Sequence, residues 1–262
     1  MSLPDSFLQS IIRSLDSLDV VRVTMSGSFA RNQAGRYSDV DIQRCVHVLP
    51  ESRYEHYMLQ YVQDRLVSVK TLTVEEAQKS LTRPDKAIWA IPGLRQSRIL
   101  LDKDGSMSTL KEAAVKSTWG SLQTAANAYA SWGLSANSEE IHKILDGLTR
   151  QNESKTLYAI WSLTRGLADA VLVQSGAFVP SENAYIDRVQ EAAGRTSDWT
   201  RLFRIAIGLD SHPSTNPAFV GYGIACLGLY RKTVAILQHI LSPEDATVVN
   251  RTLEIITEAG YL

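Results

Sequence analysis

The sequence is poor in cysteine, in long apolar runs and in charge of either sign to excess. Two cysteines, Cys45 and Cys226, stand far apart among 262 residues. With no CxxC pair, neither a zinc knuckle nor a dithiol redox centre is implied, and both thiols are expected to be reduced and buried. The five histidines, His47, His56, His142, His212 and His239, show neither HxxxH nor HExxH spacing, so no histidine metal pair follows. No run of about 18 apolar residues occurs, and no membrane span is expected. The opening MSLPDSFLQSII lacks a basic stretch followed by an apolar core, so no signal peptide is expected and a cytoplasmic location is the expectation. Net charge is −1, from 27 basic and 28 acidic residues. Without a Lys/Arg cluster interleaved with aromatics, a nucleic-acid partner is not expected. What remains is an ordinary composition, 44% hydrophobic and 21% charged, long enough for one large domain or two of middling size.

The first hundred residues alternate in pattern. Apolar residues at 7, 8, 11, 12, 15 and 18 repeat at helical spacing. VVRVTM (20–25), DVDIQRCVHVL (39–49), LVSVKTLT (66–73) and SRILLD (97–102) are β-branched, apolar runs that read as strands. FARNQA opens a helix between the first two, and ESRYEHYMLQYVQDRL reads as a helix between the second and third. VEEAQKSLTRPDKAIWAI (74–91) reads as helical in part, with Pro84 starting a new turn, and KAIWAIPGLRQ (86–96) reads as a loop-bounded segment bordering a cleft. DKDG then makes a turn with Gly105 at a position that tolerates positive φ. Beyond residue 105 strand patterns vanish, and segments 106–132, 137–150, 153–175, 182–193, 198–209, 217–240 and 243–259 read as helices. Gly176 ends one of them, and Ser242-Pro243 begins the last as N-cap and first residue. The expected organisation is a small mixed sheet with flanking helices over residues 1–105, then an all-α domain over 106–262. The tryptophans at 89, 119, 132, 161 and 199 are read as core.

One stretch departs from this plain pattern: GSFARNQAGRYSDVDI, residues 27–42. Residues i and i+2 of a strand face the same way, so Asp39 and Asp41 project side by side. Two carboxylates so close repel, and one is pushed toward protonation unless a cation sits between them. Mg²⁺ removes the conflict, since it takes one or two protein carboxylates and fills its octahedron with water and phosphate oxygens. Upstream, Gly27-Ser28 ends a strand and opens a helix, exposing unpaired amide groups that attract phosphate. Glycine lets the backbone approach a ligand, and the Ser28 hydroxyl adds a donor.

Gly27, Ser28, Asp39, Val40 and Asp41, preceded by Ser38 to give SDVD, resemble the signature of the nucleotidyltransferase superfamily that includes DNA polymerase β and the aminoglycoside adenylyltransferases. RILLDKDG (98–105) is similar to the strand and turn that close this domain, and residues 161–194 follow the outline of the helical domain of the aminoglycoside-modifying members. The resemblance implies an α+β catalytic domain followed by a helical acceptor-binding domain. It implies that Asp39 and Asp41 hold Mg²⁺ and that Gly27, Ser28 and Ser38 bind the nucleotide. Arg31 and Arg36 flank the turn within reach of a triphosphate, or else are solvated loop residues.

The resemblance also leads one to expect a third carboxylate on the strand beside Asp-x-Asp, and there the sequence departs from it. LVSVKTLT holds Ser68 and Lys70 at its middle positions and no acid. Three readings stay open. Asp64, or Glu75 with Glu76 behind it, reaches the metal; a base comes from the helical domain, with Glu153, Asp146 and Asp169 as candidates and Glu153 foremost; or the protein binds nucleotide with little turnover. Asp169 also has Arg165 four residues away as an ion-pair partner. The expected activity is Mg²⁺-dependent transfer of a nucleoside monophosphate, AMP from ATP, to a hydroxyl of a small molecule. The sharpest version is an aminoglycoside-type antibiotic met by Glu139, Glu140, Asp146 and Glu153. The alternative is a nucleotide-binding regulatory or toxin–antitoxin protein. A monomer or homodimer suits either.

Overall fold

The computed structural model describes residues 2–211 and 217–261, so His212 lies outside the described residues. The contacts within the chain divide it into two units. One comprises residues 1–118 with 178–182, the other residues 119–177 with 183–262.

The first unit is built on five strands: β1 (Val20–Met25), β2 (Val40–Val46), β3 (Tyr57–Val62), β4 (Arg65–Thr73) and β5 (Arg98–Asp102). Their spatial order is β3-β4-β2-β1-β5. β2 runs parallel to β4, and the other pairs are antiparallel. Helix α1 (Asp5–Leu15) buries Phe7, Leu8, Ile11 and Leu15 against one face of the sheet, where they pack with Val23, Val40, Ile42, Val67 and Val69. Alternation then sends Asp41, Gln43, Ser68 and Lys70 to the opposite face. There, α4 (Val74–Lys79), α5 (Pro84–Gln96) and α6 (Ser106–Lys116) form a smaller core around Ala77, Leu94, Met107 and Ala114. Because α6 packs on α5 and β5, this unit continues past residue 105 to Thr118.

Three expectations change. The stretch read as a helix over 51–66 is one helical turn, α3 (Arg53–His56), followed by β3. β3 and β4 form a hairpin whose two loop residues, Gln63 and Asp64, have φ of 47° and 63°. Positive φ at both positions is the two-residue turn that matches strand twist. Gln-Asp is not the usual residue pair for that turn, and the long polar side chains between the tyrosines imitate a helix face. KAIWAIPGLRQ belongs to α5, whose first residue is Pro84 and whose interior holds Pro92. The helix opened by Gly27 is a single turn, α2 (Gly27–Ala30).

The second unit is helical: α7 (Gln123–Ala136), α8 (Ser138–Thr149), α9 (Glu153–Ser175), α10 (Tyr185–Ala193), α11 (Asp198–Ala206), α12 (Ala218–Leu237) and α13 (Pro243–Glu258). Helix ends are set by side chains, as at Ser242, whose hydroxyl accepts from the Asp245 amide at 3.1 Å. Gly176 closes α9 at φ 67°, against the Trp119 ring. The segment from α12 through residue 240 is apolar and long enough to cross a membrane, but 61% of its most apolar window is buried inside the protein, as for a core helix. Trp199 is buried, its indole N–H donating to Thr233 at 2.8 Å. Trp132 and Trp161 are 64% and 70% exposed, so they are surface residues and not core. Both cysteines are buried and free.

Candidate active site

The site is built where β1 ends beside the start of β2. The Ser26 amide donates to the Asp41 carbonyl at 2.9 Å, extending the β1–β2 ladder. Gly27 follows at φ 66°, and a Cβ there would fall 1.9 Å from Asp41 Oδ2. Positive φ and this close approach both demand glycine. The turn therefore lays its backbone directly on the Asp41 carboxylate, and Ser28 comes next in the same turn. With α2 only four residues long, attraction for an anion rests on local amide groups and nearby arginine more than on a summed helix dipole.

Asp39 immediately precedes β2 and Asp41 is its second residue; both are half-buried. The Asp41 carboxyl is pushed above its ordinary value, first by burial and then by Asp39, with Glu182 adding in the same sense. The Ser68 hydroxyl, donating to Asp41 Oδ1 at 3.1 Å, and Arg31 act against the rise. Ser68 is the register partner of Asp41 across the parallel β2–β4 pair. The β4 position beside Asp41 thus carries a hydroxyl that steadies its carboxylate. Asp64 lies in the β3–β4 turn. Glu75 is ion-paired with Lys79 at 2.6 Å, and Glu76 closes a capping box with Thr73. Among the described residues, no group of three acids, histidines or cysteines is placed to hold a metal ion.

The other nominated residues divide. Arg31 reaches over the turn, donating to Gln33 at 3.0 Å and to the Pro180 carbonyl at 3.3 Å. Arg36 lies exposed over the Tyr37 ring, 5.4 Å from its centroid. Ser38 accepts from the Gly35 amide at 2.9 Å, shaping the loop. Glu153 is the exposed first residue of α9 in the helical unit. Asp146 is held by Arg150 and Lys155, at 2.7 and 2.5 Å. Asp169 accepts from Arg165 at 3.0 Å and from the Tyr185 hydroxyl at 2.7 Å, which accounts for a carboxylate inside an apolar helix.

Glu182 was not visible from sequence. Its charge is felt at Asp41 because of a single defect in α5. Pro92 has no N–H to give the carbonyl four residues earlier. That carbonyl, of Ile88, instead accepts the Val179 amide at 2.8 Å. Val179 is buried, and Phe178 lies under the Arg95 guanidinium at 5.0 Å. Residues 178–182 are thereby strapped onto the first unit, which brings the Pro180 carbonyl to Arg31 and the charge of Glu182 to Asp41. The usable signal was a proline inside an apolar helix, which leaves a carbonyl in need of a donor.

A cavity of about 670 Å³ adjoins the site on the same face of the sheet. Its floor includes Gln43 and Lys70, each two residues beyond Asp41 and Ser68 on their strands.

Comparison with known proteins agrees with this geometry. Residues 8–90 match the model of the family described as the nucleotidyltransferase domain. No curated protein sequence matches the chain. Among solved structures, a nucleotidyltransferase-like protein from Exiguobacterium sibiricum shares the fold, with a TM-score of 0.52 at 11% identity, over 97% of this chain and 80% of that one. The Gly-Ser turn laid on the second aspartate lies inside the stretch, from α1 into α5, over which the chain is similar to the nucleotidyltransferase domain.

Proposed function

We propose that the protein is a Mg²⁺-dependent nucleotidyltransferase that moves AMP from ATP to a hydroxyl of a small molecule. The observation that carries this reading is the half-buried Asp39–Asp41 pair, with the Asp41 carboxyl raised by burial and by its neighbour, beside a glycine turn in direct contact with it. Two carboxylates without a third acid suit Mg²⁺, which completes its shell from water and phosphate. When bound, the ion would draw charge from the phosphate and attacking oxygens.

The chain's own groups do the rest. The Gly27–Ser28 amides and Arg31 hold the triphosphate tail. Ser68 fixes the orientation of Asp41, as the hydrogen-bond partner of a metal ligand does. Glu182, on the strap beside Arg31, adds negative charge near the pair. Replacing Asp41 with Asn should cut pyrophosphate release from ATP and Mg²⁺ by on the order of a thousandfold, since metal stabilisation of the transition state amounts to several kcal/mol. Turnover that survives the change would refute the reading.

Ser68 at the third-acid position favours a second reading, a nucleotide-binding regulatory protein with little turnover. Pyrophosphate release from the native protein, followed with and without added acceptor alcohols, separates the two.

A further inference from the structure

We propose that the cavity beside Asp41 is an acceptor pocket for a small molecule that carries a phosphate and a flat ring, and not for a polycation. The inference rests on the nucleotidyltransferase reading and adds the class of its second substrate. If the triphosphate tail sits on the Gly27–Ser28 turn, it lies on the β1 side of β2. In-line displacement then brings the acceptor from the opposite side, over β4 and β3.

That side is built for an anion with an apolar body. Lys70, the register partner of Gln43, stands two residues beyond Ser68 on the same face, about 7 Å along the strand. It is exposed and makes no ion pair among the described residues. Lys79, Arg83 and Lys86 also line the cavity, against a single lining acid, Glu76. Glu76 is spent on the Thr73 amide at 2.8 Å. Glu75 and Asp85 partly balance Lys79, Arg83 and Lys86, so Lys70 is the lysine or arginine of the lining left without an ion pair among the described residues. Trp89, Leu49 and Leu72 supply an apolar wall. Across the hairpin, Tyr57 pairs with Lys70 and Leu59 with Ser68, so the exposed Tyr57, Leu59 and Tyr61 (54%, 48% and 77%) continue that face. A polycation would meet Lys70 at close range. Of the four acids named for an aminoglycoside, Glu139, Glu140 and Asp146 are ion-paired to Lys143, Arg150 and Lys155, which leaves Glu153, exposed at the start of α9.

The test titrates three probes into the full chain loaded with a non-hydrolysable ATP analogue and Mg²⁺: 4-nitrophenyl phosphate, neutral 4-nitrobenzyl alcohol and the polycation kanamycin. The phosphate probe should bind at least tenfold more tightly than the alcohol, and kanamycin should not bind. Lys70→Met and, separately, Lys86→Met should each weaken the phosphate probe, Lys70→Met by about tenfold, with affinity for the ATP analogue within about twofold of native. The proposal is overturned if kanamycin binds best, if the ATP analogue displaces the phosphate probe, or if both lysine variants bind it as the native chain does. Failure of the ATP analogue itself to bind with Mg²⁺ would instead overturn the nucleotidyltransferase reading, while the probe series without nucleotide still reports on the pocket.

Discussion

Asp41 is placed at a cost that a bound cation would relieve. Its carboxyl is raised above 3.8 by burial and by Asp39. The metal-free fold therefore gains from protonation here: that stability is full below the ordinary carboxylate value and is lost as pH rises through the higher value of the folded state. Asp41→Asn removes the loss, and the variant should unfold at a higher temperature than the native protein at pH 7 in EDTA. A lower midpoint would contradict the part played by burial and repulsion. Glu182 makes the second prediction at this scale. Glu182→Gln removes a negative charge that helps to raise the Asp41 carboxyl, so it should raise the unfolding temperature at pH 7 in EDTA by less than Asp41→Asn does. An unfolding temperature equal to or below the native one would show that Glu182 does not act on Asp41. Asp39, Asp41 and Gly27 were legible in the sequence because their relation is local, two residues apart on a strand or one turn away. Glu182 was not, because its place depends on a tertiary hydrogen bond between Val179 and Ile88, far apart in the chain.

Among the elements, α5 shows how a broken rule positions the site. Pro92 interrupts the helical ladder, and the strap 178–182 takes up the free carbonyl. Pro92→Ala would restore an amide that competes for the Ile88 carbonyl. Loss of a bond of about 1 kcal/mol corresponds to roughly five- to tenfold faster hydrogen exchange at the Val179 amide. Unchanged exchange at Val179 would show that the strap is held by its side chains alone. Most elements followed from pattern: α1 from its 3–4 spacing, β1, β2 and β4 from β-branched runs, α9 and α13 from their caps. β3 was hidden because Tyr57, Leu59 and Tyr61 stay exposed. The half-buried side of the strand is Met58, Gln60 and Val62, too polar at its centre to announce a buried strand face.

At the scale of the whole molecule, the chain joins a sheet unit carrying the aspartates to a helical unit whose charges are largely satisfied among themselves. Near-zero net charge fits both. Residues 8–90 carry the family match, and the chemistry proposed here lies within the sheet unit and the strap that returns to it. The most direct test is calorimetric titration of a non-hydrolysable ATP analogue into the native chain and into a variant carrying both Asp39→Asn and Asp41→Asn, each with Mg²⁺ and with EDTA. The account predicts binding to the native chain that depends on Mg²⁺, and a variant whose affinity is weak and the same in both buffers. Equal affinities for native and variant chains in Mg²⁺ would contradict it.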